Sequence, residues 1–319
     1  MLQQTQVAQV IPYYQRFLHE FPNLRALAST SVENLLKLWE GMGYYARARN
    51  LHAAARLIVT RHNGELPRDR QKIRELPGFG LYTTNAVLSL AFNEPLSVVD
   101  GNVSRIICRL FAIDLDVKLS ATKKVISQKA DHLLDQVHAA VFNEALMELG
   151  AIICTPRMPL CGHCPVAEYC QAKHQKRVDR LPYKSPPVAK PSANVTAYII
   201  RHKNKFLLAQ RPATGLLGGF WEFPCIVSKN NPGFGRKFPV DIPFTGKVIR
   251  ELQPVRHSFT HFNLVIKPIL FHINSRDFNF TFYTTVRWIE YGEFSLFPMH
   301  RFMLKILNQV AAESEIVAQ

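Results

Sequence analysis

Four cysteines, Cys154, Cys161, Cys164 and Cys170, fall within seventeen consecutive residues. Thiols at that density either oxidise to bridges or share a metal, and both outcomes dictate the path of the loop that carries them. The segment lies deep inside a 319-residue chain whose start, MLQQTQVAQVIPYY, lacks the basic n-region and small-residue cleavage site of a secretory signal. A reducing compartment and thiolate ligation are therefore expected, and disulfides are the weaker reading. Structural zinc usually takes its ligands as two short pairs brought together across a longer loop. Here the gaps are uneven and the loop is continuous, which favours a cubane iron-sulfur cluster held by four thiolates. Zinc stays open as the alternative, because soft thiolates suit both metals. His163 reads as a loop residue, and Cys108 and Cys225 as small core residues.

Ahead of this loop the apolar residues recur at helical spacing. Thr30-Ser31-Val32-Glu33 predicts a capping box that opens a helix with Leu35, Leu36 and Trp39 on its apolar face, stopping at Gly41 and Gly43. The next helix runs from Ala46 to Arg61 and ends at Asn63-Gly64. The pattern continues at Val87, Leu90 and Ala91, at Val103, Ile106, Ile107 and Leu110, and at Ile126, Leu133, Leu134 and Val137. Phe142, Ala145, Leu146 and Leu149 mark a last helix before the cysteines. Residues 1–175 are thus expected to form an all-α domain closed by a metal loop.

Composition changes at Lys176. The stretch to Ser192 holds four prolines and five basic residues, and it reads as an extended basic linker over 176–192 that could lie along DNA. Beyond it, Asn194 to Arg201 and Phe206 to Arg211 predict two strands joined around His202 to Lys205. Leu264 to Asn274 and Phe278 to Trp288 are β-rich, and a helix around Arg301 to Ala311 completes an α+β domain over 193–319. At about 100–200 residues per domain, two domains fit the length.

The chain carries 39 Lys and Arg against 24 Asp and Glu, a net charge of +15. An excess of that size points to a polyanionic partner, nucleic acid first. The longest uncharged stretch, Leu76 to Asn93, is interrupted by Pro, Gly, Thr and Asn and falls short of the ~20 apolar residues of a spanning helix. No membrane partner is expected, and residence is expected to be cytoplasmic, nucleoid-associated in a bacterium.

Two short motifs carry chemistry. Leu76-Pro77-Gly78-Phe79-Gly80-Leu81-Tyr82-Thr83 sets Gly78 and Gly80 in a tight turn before a helix, where backbone amides and the helix dipole together cradle a phosphate. A plain helix-to-helix turn is the simpler alternative. Val98-Val99-Asp100-Gly101-Asn102-Val103 puts an acid at the mouth of a helix. Asp100 suits an N-cap, and a fixed carboxylate also suits an opening sugar, whose oxocarbenium-like centre it would stabilise or attack.

The turn LPGFGLYTT, the VVDGN element and the four-cysteine loop together resemble the helix-hairpin-helix DNA glycosylases that carry a 4Fe-4S cluster. Within them, MLQQTQV, GMGYYARARN, FNEALMELGAIICTPRMPLC and RHSFTH resemble the MutY adenine glycosylases. The resemblance implies an all-α helix-hairpin-helix domain with an iron-sulfur cluster loop, followed by an α+β Nudix-like C-terminal domain. It implies a monomeric enzyme that flips adenine out of duplex DNA opposite 8-oxoguanine and hydrolyses the N-glycosidic bond. The cluster would sit on Cys154, Cys161, Cys164 and Cys170. Asp100 matches the carboxylate that stabilises the sugar cation or forms a transient adduct, with Asn102 and Tyr82 beside it. Leu2 and Glu144 match the adenine pocket. Gln3, Gln4 and Thr5 match the segment that fills the gap, Tyr44 the aromatic wedge, and Phe259, Thr260 and His261 the loop that reads 8-oxoguanine.

Departures from the family pattern refine this. Strand-cutting relatives carry a Schiff-base lysine where this chain has Tyr82, so base removal without strand cleavage is expected. Gly218-Gly219-Phe220-Trp221-Glu222-Phe223-Pro224 resembles a Nudix strand, yet no REx2Ex2E run follows to hold magnesium, and Nudix hydrolysis is not expected. Thr260 stands where the family commonly has serine. The family's general acid is a glutamate two residues before the methionine of its MLQQT segment, and Met1 matches that methionine. The acid, pocket-lining residues and a helix packing on the cluster domain are therefore expected upstream of Met1. A gene start placed at an internal methionine is the expected reason and a shortened, inactive form the alternative; residues 1–319 are expected to be nearly inactive. The competing readings are an endonuclease III-like glycosylase/lyase and a non-catalytic module that binds damaged DNA.

Overall fold

Helices before residue 175 and strands after residue 191 are both present in the computed structural model, which describes residues 1–3, 5–227, 246–273, 280 and 282–317. Gln4 and part of the β-rich stretch from Phe278 to Trp288 lie outside these residues. The chain separates into two compact units, Thr60–Val188 and a second made of Met1–Val59 with Ala189–Gln319.

Four helices open the chain: α1 (Val7–Glu20), α2 (Leu24–Ser29), α3 (Val32–Leu38) and α4 (Ala46–Arg61). Val10, Phe21, Leu27, Leu35, Leu36 and Trp39 bury together, and Phe220 from the C-terminal half of the same unit completes the cluster. The cap of α3 differs from the predicted box. Ser31, not Thr30, is the N-cap, its Oγ accepting from the Asn34 amide at 3.1 Å. Glu33 is thereby released from a capping role and accepts from Trp221 Nε1 at 2.5 Å. Arg49 Nη1 donates to the Gly218 carbonyl at 3.0 Å, and Glu40 Oε1 accepts from the Met299 amide at 2.8 Å. The Gly218–Phe223 segment is thus gripped by the first helices.

The helical unit contains α5 (Arg70–Arg74), α6 (Leu81–Phe92), α7 (Gly101–Leu110), α8 (Ser120–Leu133), α9 (Ala139–Glu148) and α10 (Gln171–His174). A π-helical turn, Leu149–Ile153, leads out of α9 towards the cysteines. Val103, Ile107, Cys108, Ile126 and Ala130 form the core. Burial pushes the Cys108 thiol up to about 11, as suits an unreactive core residue. The buried face of α6 is Thr84, Leu88 and Ser89 rather than the predicted Val87, Leu90 and Ala91. Hydrogen bonds explain the rotation: Thr84 Oγ1 donates to the Phe79 carbonyl at 3.3 Å, and Ser89 Oγ accepts from Asn143 Nδ2 at 2.9 Å. Val137, expected on an apolar face, is 68% exposed, because α8 stops at Leu133 and the chain turns before reaching it.

The first part of the linker is bonded to this unit. Arg109 Nε donates to the carbonyls of Val178 and Leu181 at 3.0 and 2.9 Å, and Lys118 Nζ to those of Ser185 and Pro186 at 2.5 and 3.3 Å.

The remaining sheet comprises β1 (Ser192–His202), β2 (Lys205–Gln210), β3 (Trp221–Glu222), β4 (Cys225–Val227), β5 (Gly246–Glu251), β6 (Val255–Ser258), β7 (Asn263–Ile273) and β8 (Thr285–Glu290), with α11 (Arg301–Val317) last. Strand order is β3-β2-β1-β7-β5, with β4 on β1, β6 on β7 and β8 on β2. β1 and β7 run parallel from Ser192 opposite Asn263 to Arg201 opposite His272. Alternate residues of β1 and β7, Val195, Ala197, Ile199, Leu264 and Ile266, bury against Phe302, Met303 and Ile306 of α11. Inside the unit, Glu222 accepts from Arg211 Nη1 at 2.7 Å, Tyr283 Oη at 2.9 Å and His300 Nε2 at 2.8 Å, fully buried. Among the described residues, no helix is long and apolar enough to cross a membrane.

Candidate active site

Sequence dictates the turn between α5 and α6. The Phe79 amide donates to the Leu76 carbonyl at 3.1 Å, with Pro77 second and Gly78 third in the turn. Gly78 has φ +85°, a conformation that costs glycine little and other residues more. Gly80 follows as the N-cap of α6, so the amides of the first helical turn face outward beside two glycines. Asp100, at the start of α7, is half-buried. Its Oδ1 accepts from the Val103 amide at 2.7 Å and its Oδ2 from Asn102 Nδ2 at 3.1 Å, so both cap and fixed-carboxylate expectations describe the same side chain. Tyr82, 39% exposed, lies close enough to sense Asp100: burial first, and the Asp100 charge second, raise its phenol above the ordinary value. The phenol accordingly stays a neutral O–H donor at physiological pH. Tyr82, Asp100 and Asn102 are brought together.

Glu144 is exposed on α9. Its neighbour Asn143 is buried and ties α9 to the segment leading into Asp100. Asn143 Oδ1 accepts from the Val98 amide, and Nδ2 donates to Ser89 Oγ and the Leu96 and Ala139 carbonyls, each at 2.9 Å.

Two arginines of α7 connect this carboxylate to the cysteine loop, and sequence reasoning passed over both. Arg105 Nη2 donates to Asn102 Oδ1 at 2.9 Å and the Gly150 carbonyl at 2.6 Å, while Nε donates to the Cys154 carbonyl at 2.7 Å. A Cβ on Gly150 would stand 2.6 Å from Asn102 Cβ, so only glycine permits this approach. Arg109, four residues on, donates from Nη1 to Cys154 Sγ at 3.3 Å and the Thr155 carbonyl at 2.8 Å. Two arginines spaced i, i+4 between the apolar Val103, Ile106 and Ile107 were the available signal.

All six cysteines are free thiols, which sets the disulfide reading aside. Cys154, Cys161, Cys164 and Cys170 are partly exposed and face one another: the Cys161 thiol is pushed up by burial first, then by Cys154, Cys170 and Cys164. Among the described residues no three His, Cys, Asp or Glu side chains are grouped to hold a single metal ion. The mutual proximity of these thiols suits a cluster taking one thiolate per iron, and the nearby Arg109 guanidinium suits thiolate charge.

In the other unit, Arg47 organises the residues expected at the DNA gap. Its Nη1 donates to the carbonyls of Met1, at 2.7 Å, and Gln3; its Nη2 donates to Thr5 Oγ1 at 3.0 Å and the Gly43 carbonyl at 3.3 Å. The guanidinium also lies over the Tyr44 ring, 5.3 Å from its centroid. Structure separates the tyrosine pair. Tyr45 packs on Phe220 at 4.3 Å, whereas Tyr44 is 48% exposed with φ +49°, an uncommon backbone for an aromatic residue. Leu2 is 60% exposed. Phe259, Thr260 and His261 occupy the turn joining β6 to β7, closed by the Phe259 amide on the Phe262 carbonyl at 2.9 Å. Thr260 and His261 are exposed, and Phe259 stacks on Phe262 at 4.6 Å.

Residues 1–135 match the HhH-GPD superfamily of base excision DNA repair proteins, residues 154–170 the iron-sulfur binding domain of endonuclease III, and residues 195–309 the NUDIX domain. A DNA-repair glycosylase with an iron-sulfur loop and a Nudix-like domain is the class that fold and site define. The adenine DNA glycosylase of Rattus norvegicus is 34% identical over 97% of this chain and 69% of its own length; that of Homo sapiens is 32% identical over 97% and 66%. The adenine DNA glycosylase of Buchnera aphidicola subsp. Baizongia pistaciae is 32% identical over 86% of this chain and 77% of its own. The chain belongs to the adenine DNA glycosylase family. It spans about two thirds of the length of these mammalian relatives. DNA is its partner and a 4Fe-4S cluster its cofactor, which resolves the alternative of zinc.

Proposed function

We propose that this enzyme removes adenine paired with 8-oxoguanine, with Asp100 at the sugar. The observation that carries the reading is the Asp100 carboxylate, held by Val103 and Asn102 and flanked by the neutral Tyr82 hydroxyl. As the glycosidic bond breaks, positive charge develops on the sugar ring, and a carboxylate already fixed in place stabilises it without reorganising. Tyr82 donates a hydrogen bond there and offers no amine for a Schiff base, so the product is an abasic site in an intact strand. Gly78 and Gly80 bind backbone phosphate, Leu2 and Glu144 line the adenine pocket, and Gln3, Gln4 and Thr5 fill the space beside the orphaned base. Tyr44 enters the stack; its strained backbone and the Arg47 contact hold it outward, ready to offset the few kcal/mol of flipping. Phe259, Thr260 and His261 read the lesion. Bound at Cys154, Cys161, Cys164 and Cys170, the cluster supplies iron-thiolate bonds that close the loop. The functional division is 1–175, 176–192 and 193–319, and the enzyme works as a monomer in the cytoplasm or nucleoid.

Departure of adenine near neutral pH also needs a proton on the purine. Single-turnover excision of adenine from an A:8-oxoguanine duplex is expected to leave an abasic site, with strand breaks appearing only after alkali. Breaks without alkali contradict the role given to Tyr82.

A further inference from the structure

We infer that Lys190, in the basic linker, is a positioning residue for lesion recognition, acting through the backbone of the Phe259–Phe262 turn. This rests on the assignment of Phe259, Thr260 and His261 as the lesion-reading loop. Lys190 Nζ donates to the Phe259 carbonyl at 2.8 Å and contacts Ser258 Oγ at 3.4 Å. The contact follows from topology. Parallel pairing begins at Ser192 opposite Asn263, and the Asn263 amide donates to the Pro191 carbonyl at 2.9 Å, so the residue before Pro191 is carried alongside the turn that precedes Asn263.

One peptide plane makes the contact consequential. The carbonyl of Phe259 and the amide of Thr260 belong to the same planar group and point in opposite directions. An ammonium holding the carbonyl therefore sets the direction of the Thr260 N–H, and with it the position from which the Thr260 hydroxyl departs. Ser258 Oγ also reaches this carbonyl, at a long 3.5 Å, while its shorter bond goes to Asn263 Oδ1 at 2.9 Å; the remaining restraints act elsewhere. Phe259 stacks on Phe262, His257 packs edge-on to Phe259 at 4.6 Å, and the Phe259 amide is held by the Phe262 carbonyl, which anchors the ring and the closing end. The linker thus meets the turn at two planes, Pro191 at the Phe262–Asn263 peptide and Lys190 at the Phe259–Thr260 peptide, and only the second orients Thr260. 8-Oxoguanine differs from guanine by an N7–H donor and an O8 acceptor, so discrimination depends on how a donor and an acceptor on the loop are aimed. Lys190 supplies aim rather than contact, and its charge on the solvent side leaves the apolar core of the unit untouched.

The test compares dissociation constants of the full chain for two product-like duplexes, a tetrahydrofuran abasic analogue opposite 8-oxoguanine and the same analogue opposite guanine, neither requiring excision. Lys190→Met should shrink the ratio of the two constants by about three- to tenfold, the loss of one charge-assisted hydrogen bond. Lys190→Arg, which keeps charge and donors, should hold the ratio near that of the unmodified chain. Equal weakening of both duplexes by Lys190→Met would mark a phosphate contact and overturn the inference, as would no change in either. Thr260→Ala separates the two levels. If it shrinks the ratio while Lys190→Met does not, the lesion-reading assignment stands and the role of Lys190 falls; if neither substitution moves the ratio, both fall.

Discussion

Replacing Asp100 by asparagine is expected to slow single-turnover adenine excision by about a thousandfold, the scale of losing one preorganised electrostatic group at a developing charge. The fold should survive. Asparagine caps helices as well as aspartate, so the bond from the Val103 amide to residue 100 is retained and α7 keeps its start. The Asn102 Nδ2 donor loses its acceptor, because an amide NH2 takes the place of Oδ2, a modest local cost at a half-buried position. What disappears is the negative charge facing the sugar, which matters only as the bond breaks. Duplex affinity should therefore change little while the rate collapses, the pattern of a group that acts in the transition state. The assay is excision under enzyme excess, with duplex affinity measured in parallel.

The second large effect is on stability. Glu222→Ala is expected to destabilise the unit containing the sheet by about 3–5 kcal/mol, because it leaves the buried Arg211 charge without its partner. Burial alone would lift the Glu222 carboxyl, but the Arg211 guanidinium, His300 and Tyr283 together bring it below its ordinary value. A carboxylate held down in this way contributes its stability fully above the ordinary pKa of 4.5 and loses it as the pH falls through the folded value. His300 acts in the same direction: burial outweighs the bond to Glu222 and holds the ring below its ordinary 6.5, so its share fades from that pH downward. Urea unfolding followed by tryptophan fluorescence checks both statements, since Trp39, Trp221 and Trp288 all lie in this unit. The unmodified chain should lose stability on acidification below pH 6.5 and more steeply below 4.5, and Glu222→Ala should flatten the lower part of that dependence.

Local features of the fold were open to reading from the sequence, and distant ones were not. The bounds of α4, Ala46–Arg61, and the left-handed stop at Asn63 and Gly64 follow from spacing and turn chemistry alone. So does Asp100 as a cap. The cap of α3 moved from Thr30 to Ser31 because Glu33 has a distant partner in Trp221, which no short window reveals. Similarly, α6 buries Thr84 and Ser89 because partners outside its own pattern satisfy their hydroxyls. Arg105 and Arg109 look like a solvated charged stripe until the carbonyls around Cys154 are in place. Grouping of Met1–Val59 with Ala189–Gln319 joins segments far apart in the chain, and local periodicity carries no trace of it. For the proposed site, family resemblance nominates Asp100 and Tyr44, while the side chains that hold their surroundings, Asn143 and Arg47, needed coordinates.

The central claim, that a fixed Asp100 carboxylate stabilises a cationic sugar, is tested most directly without any chemistry step. The measurement is the affinity of residues 1–319 for duplexes bearing a protonated pyrrolidine sugar analogue opposite 8-oxoguanine, compared with the neutral tetrahydrofuran analogue in the same place. Tighter binding of the cation by about a hundredfold is the lower end expected for a transition-state mimic. Asp100→Asn should abolish that preference while leaving affinity for the neutral duplex unchanged. A preference for the cation that survives Asp100→Asn would contradict the account.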